Sequence, residues 1–120
     1  MGVTHVTVRV ANLAKKGTPY EADFLVDTGG IDSLVPKDEL HKAGVKPELK
    51  KVYELASGES VEYEVGFARI SFMGDETVTQ VVFGPPGSEP ILGCLALEAV
   101  GVIVDPNTQT IRRLPASPLK

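Results

Sequence analysis

Hydrophobic residues in this chain recur mostly at every second position, in short runs broken by glycine, proline and acidic turns. Val6, Val8 and Val10 alternate with Thr7 and Arg9, which predicts a half-buried strand. A polar turn over 12–19 leads into a second strand over 20–26. The end of that strand, Phe24-Leu25-Val26, is continuously apolar and is expected to be buried on both faces. Residues 36–44 read as a short helix. Proline suits the first helical position, Asp38 and Glu39 favour the first turn, and Gly44 suits the stop.

The segments 52–55 and 61–65 flank Ala56, Ser57, Gly58 and Glu59, the pattern of a hairpin with a glycine-containing tip. Val61, Tyr63, Val65 and Phe67 hold odd positions, whereas Ala68, Ile70 and Phe72 hold even ones. The phase slips near Gly66, which predicts a bulge or bend. Residues 73–76 turn the chain into a strand over 78–83, and 84–90 form a proline- and glycine-rich loop. Ile91-Leu92-Gly93 reads as a brief strand and 94–100 as a short helix closed by Gly101. A strand over 102–104 then turns through 105–108 toward Thr110-Ile111-Arg112. About eight short strands and two short helices predict an all-β fold, mainly β with two short helices, closed like a barrel or sandwiched. The length, 120 residues, fits one domain, with a loose tail over 114–120.

Composition narrows the function classes. Hydrophobic residues make up 42% and charged residues 23%, ordinary values for a globular chain. The net charge is −4 with no basic stripe, so no nucleic-acid partner is expected. Cys94 is the only cysteine, which excludes an internal disulfide, and with only two histidines it argues against a structural zinc site. No cofactor and no metal are expected. No run approaches the roughly 18 apolar residues of a membrane helix, so no membrane partner is expected. The first residues lack a basic segment followed by an apolar core, so the expected compartment is the cytoplasm. No internal repeat is present.

The chemistry centres on Asp27-Thr28-Gly29, at the point where an apolar strand breaks into a glycine turn. A carboxylate there is held on a rigid support and stays reachable. Asp23, Asp27 and Asp32 could also be read as ligands of a hard cation, but that reading needs several oxygens to converge. Solvated loop acids are the simpler account. Asp105 reads as opening an Asp-Pro turn, His5 and His41 as surface residues, and Cys94 as a small buried residue.

The surrounding order is more specific than the tripeptide. An apolar strand precedes Asp27, Ser33-Leu34-Val35-Pro36 follows, then come a hairpin, Ile91-Leu92-Gly93, a short helix and a strand ending in Asp105. From about Val6 to Leu114 this order resembles the retroviral-type, retropepsin-like (clan AA) aspartic peptidases, most closely the single-domain bacterial and archaeal kind. The resemblance implies an acid-protease half-domain. It implies Asp27 as the catalytic aspartate, Thr28 as a residue bonding across a dimer interface, and Gly29 as the glycine leaving room for a water. It implies the hairpin tip, Ala56 to Glu59, as a flap over substrate, and Ile91, Leu92 and Gly93 as support for the catalytic loop. The position after Gly29 is usually Ala or Ser in that family and is Gly30 here. The Arg and acidic residue of the retroviral helix are absent, since Cys94 follows Gly93 directly.

One carboxylate cannot serve as acid and base at the same instant, and the chain carries one such turn. The implied enzyme is therefore a homodimer that places two Asp27 carboxyls around one water and hydrolyses a peptide or protein substrate. The alternative is a catalytically weak or inactive peptide-binding or dimerisation module on the same fold, which Gly30 makes conceivable.

Overall fold

The structure, a computed structural model, describes residues 4–105, 108 and 110–113. In β1 (His5–Ala11) the alternation turns Val8 and Val10 fully inward and Arg9 outward. The strand pairs antiparallel with β2 (Tyr20–Asp27). The chain continues through β3 (Ser33–Pro36), α1 (Lys37–Lys42), β4 (Pro47–Glu54), β5 (Ser60–Phe72), β6 (Asp75–Gly84), β7 (Ile91–Gly93), α2 (Cys94–Ala99), β8 (Val102–Asp105) and β9 (Thr110–Arg113). The main sheet runs β1-β2-β7-β3-β6-β5-β4, and β1 also pairs with β5. That last pairing closes six strands into a barrel, with β4 outside the ring and β8–β9 forming a separate two-stranded sheet. The core inside is aliphatic and aromatic, built on Phe24, Val35, Leu40, Ile70, Phe83 and Leu92.

The expected short helix is α1. Pro36 is its N-cap rather than its first helical residue, because it still belongs to β3. The stop is a Schellman arrangement. Gly44 adopts φ +80°, its N–H reaches the His41 carbonyl at 3.1 Å, and the Val45 N–H reaches Leu40 at 2.9 Å.

Three readings change. Ser33–Pro36 is a strand in its own right, parallel to β6 and antiparallel to β7. Phe24 is fully buried, but Leu25 and Val26 are only partly so, because the end of β2 lies at the rim of the barrel. The hairpin strand β5 runs unbroken for 13 residues, and its register with β6 is regular from Val65 to Phe72. The bulge sits opposite, in β4 between Pro47 and Leu49, across from Gly66 and Val65. Gly66 marks a close backbone approach, since a β-carbon there would lie 2.4 Å from the Lys46 carbonyl oxygen. The buried face switches because β5 passes from the hairpin into the barrel wall, where the opposite side is covered. The expected tail over 114–120, with Pro106 and Asn107 of the predicted turn, lies outside the described residues.

Candidate active site

Asp27 closes β2 and is held by the parallel ladder to β7, which pairs Leu25 with Ile91, Val26 with Leu92 and Asp27 with Gly93. Strand β7 is therefore inserted between the two arms of the turn, β2 on one side and β3 on the other. The turn itself is pinned to the start of α2. The Cys94 N–H donates to the Gly30 carbonyl at 2.9 Å, and the Leu95 N–H to the Ile31 carbonyl at 3.1 Å. The first amides of a helix have no partner within it, and here the loop carbonyls accept them. Ser33 is buried, and its Oγ accepts the Gly93 N–H at 3.0 Å. Gly93 has no room for a side chain: a β-carbon would sit 2.5 Å from the Ile31 carbonyl oxygen and 2.6 Å from Asp32.

Within the turn, the Gly29 N–H donates to Asp27 Oδ1 at 3.0 Å. Among the described residues this is the only hydrogen bond to that carboxylate. A β-carbon on Gly30 would meet Asp27 Oδ2 at 3.4 Å, an ordinary contact, and the Gly30 φ is not positive. Gly30 thus sits in a backbone conformation that alanine also adopts. Thr28 is exposed, and its hydroxyl has no hydrogen bond among the described residues. Asp27 is only half-buried, so its carboxylate is reachable from solvent.

The hairpin β4–β5 carries its tip at Ala56, Ser57, Gly58 and Glu59, all exposed. The Gly58 N–H donates to the Leu55 carbonyl at 2.9 Å, the Leu55 N–H to the Glu59 carbonyl at 2.8 Å, and Gly58 adopts φ +90°. Among the described residues the Ala56 and Ser57 amides have no acceptor.

The three acids considered as cation ligands separate. Asp23 accepts from Thr7 Oγ1 at 2.9 Å on the exposed face of β2. Asp32 turns away from solvent and accepts from Tyr53, Gln80 and Lys51. Among the described residues no three His, Cys, Asp or Glu side chains converge as a metal site would require. Asp32 is the residue that sequence reasoning missed. Its signal was faint: Tyr53 lies in a predicted strand and Lys51 just before it, but nothing local ties either to a loop some twenty positions earlier. A surface groove lined by Arg9, Lys15, Glu21, Arg69 and Glu76 among others does not include Asp27. Its charges pair across it, Arg9 with Glu21 and Arg69 with Glu76, each at 3.0 Å. Arg69 holds the Glu76 carboxyl below its usual range. Among the described residues no helix is long and apolar enough to cross a membrane.

No protein-family model matches the chain, and no curated protein matches it. Solved structures do match. An EIAV protease complexed with the inhibitor HBY-793 is 21% identical with a TM-score of 0.57, over 83% of this chain and 89% of that one. The simian foamy virus (mac) protease is 16% identical with a TM-score of 0.56, over 78% of this chain and 91% of that one. A retropepsin-like aspartic protease from Rickettsia conorii is 22% identical with a TM-score of 0.53, over 87% of this chain and 85% of that one. The chain has the retropepsin-like fold, the fold of these retroviral and retropepsin-like aspartic proteases.

Proposed function

We propose that this chain is an aspartic endopeptidase that works as a homodimer, with Asp27 of each protomer forming the catalytic pair. The observation that carries this reading is the setting of Asp27. It ends a barrel strand, is braced from behind by Gly93 and the first amides of α2, and presents a half-buried carboxylate with one hydrogen bond, from Gly29. A second copy across a twofold axis supplies the second carboxylate without a second motif. Two carboxyls in contact share one proton, because ionising both at that distance is costly, and they titrate as a pair. The ionised member takes a proton from a water while the protonated one polarises the scissile carbonyl. No covalent intermediate forms.

The remaining residues take roles around that pair. In this reading the Thr28 hydroxyl, on an exposed residue, bonds to the partner protomer near the axis. Gly29 keeps the space beside the carboxylate open, since a β-carbon there would press on Asp27 Oδ1 at 3.3 Å. The β4–β5 tip closes as a flap over an extended peptide, with the unengaged Ala56 and Ser57 amides as donors to its backbone. The compartment of this reading is the cytoplasm.

Mass in solution, measured together with cleavage of a denatured protein mixture from acid to neutral pH, tests this. The expected result is a dimer whose cleavage is blocked by pepstatin and lost in Asp27→Asn, with the fold of that variant retained. An Asp27→Asn protein that cleaves at the wild-type rate would sink the assignment.

A further inference from the structure

Asp32 lies five residues beyond Asp27 on the same loop, and its side chain is only 4% exposed. A carboxylate so enclosed needs donors, and they arrive from two distant strands. From β4, the Tyr53 hydroxyl donates to Oδ2 at 2.7 Å and the Lys51 ammonium approaches the same oxygen at 3.4 Å. From β6, the Gln80 amide donates to Oδ1 at 3.0 Å. Gln80 therefore fixes the carboxylate so that its other oxygen faces the hairpin.

The donors on β4 are themselves organised. Lys51 pairs in register with Tyr63 on β5, so Lys51, Tyr53 and Tyr63 share the underside of the hairpin. The Tyr53 and Tyr63 rings pack at 6.1 Å, and the Lys51 ammonium lies 5.6 Å from the Tyr53 ring centre. The opposite face, with Val52, Glu54, Glu62 and Glu64, is exposed. The hairpin is thus tied to the Asp27 loop by a part-buried polar contact on one face. The tie falls just short of the tip that begins at Ala56. A swing of the whole hairpin must break the Tyr53–Asp32 bond and strand a buried carboxylate, whereas movement of the tip alone leaves that bond intact.

We propose that Asp32 is a positioning residue that seats the β4–β5 hairpin over the Asp27 loop, with the Tyr53 hydroxyl as its principal tie. The tie confines opening to the tip and sets the height at which the tip meets substrate. Its part in substrate binding rests on the peptidase reading above; the mechanical coupling does not.

The test is backbone amide hydrogen exchange on the full chain without substrate. It compares wild type, Tyr53→Phe, Asp32→Asn and Ser33→Ala, the last destabilising the loop while leaving the tie intact. Tyr53→Phe and Asp32→Asn should each raise exchange about tenfold or more across residues 49–63, with β1 and β6 little changed. Ser33→Ala should show no rise confined to the hairpin. Hairpin exchange in Tyr53→Phe within about twofold of wild type overturns the proposal, as does an equal rise in β1 and β6. A cleavage assay adds a second reading: Tyr53→Phe should raise KM several-fold with kcat nearly kept, and a fall in kcat at unchanged KM counts against the seat. Should wild type cleave nothing while the exchange result holds, the peptidase reading fails and the tie stands.

Discussion

The β-carbon that Gly93 lacks would fall 2.5 Å from the Ile31 carbonyl oxygen, inside any tolerable contact. That carbonyl is the acceptor of the Leu95 N–H, so the glycine and the helix start hold one side of the Asp27 loop together. Gly93→Ala must push the loop away from β7. The expected cost is about 1–3 kcal/mol in denaturant unfolding, the usual range for an overpacked site. Cleavage should fall by more than stability alone explains, because Asp27 is displaced with the loop.

Gly30 behaves differently. A β-carbon there meets Asp27 Oδ2 at 3.4 Å, and the backbone has no positive φ to relax. Gly30→Ala should therefore stabilise the chain by about 0.4–1 kcal/mol through the unfolded state. Activity should be kept, as measured by urea titration beside a cleavage assay. Loss of stability would mean that the turn uses the freedom of glycine after all.

Ser33 is a buried hydroxyl whose Oγ accepts the Gly93 N–H. Ser33→Ala leaves that amide without an acceptor. The expected loss is about 1–3 kcal/mol, the range for stranding a buried polar group. Ser33→Thr keeps the acceptor and should recover most of the loss if its extra methyl fits, so unfolding curves of the pair separate hydrogen bonding from packing.

Tyr53 supplies a pH test. Burial first, then the hydrogen bond to Asp32 and its charge, raise the Tyr53 pKa above its usual 10.0. The folded chain keeps a proton that the unfolded chain releases. The stabilisation is fully present below about pH 10 and is lost as pH rises through the folded value. Wild type should therefore lose stability more steeply above pH 10 than Tyr53→Phe does. Tyr20 is also raised, mainly by burial and then by Glu39 and Asp38, but it is common to both proteins and drops out of the comparison.

Much of the architecture was legible along the chain because it is written in local periodicity. Val8 and Val10 against Arg9 announce β1, and Asp38, Glu39 and Gly44 announce α1. Ser33–Pro36 was not legible as a strand: four residues carry too little alternation, and both its partners, β6 and β7, are more than forty positions away. The bulge was expected on the right rung but on the wrong strand. A change of buried parity in β5 records which side is covered, and the register shift belongs to β4.

The sequence by itself determined the candidate carboxylate and its support. Asp27-Thr28-Gly29 at the end of an apolar run and Ile91-Leu92-Gly93 near the far end are local signals, strand endings marked by glycine. Only the tertiary structure decided how they meet, through a parallel pairing of β2 with β7 that carries no short-range signature. It also decided the fate of Asp32. In the sequence it is one acid among sixteen acidic side chains; in the fold it is buried under donors from Lys51, Tyr53 and Gln80. The physical reason is the same in both cases. Turn chemistry and alternation act between neighbours, whereas burying a charge depends on what distant strands bring to it.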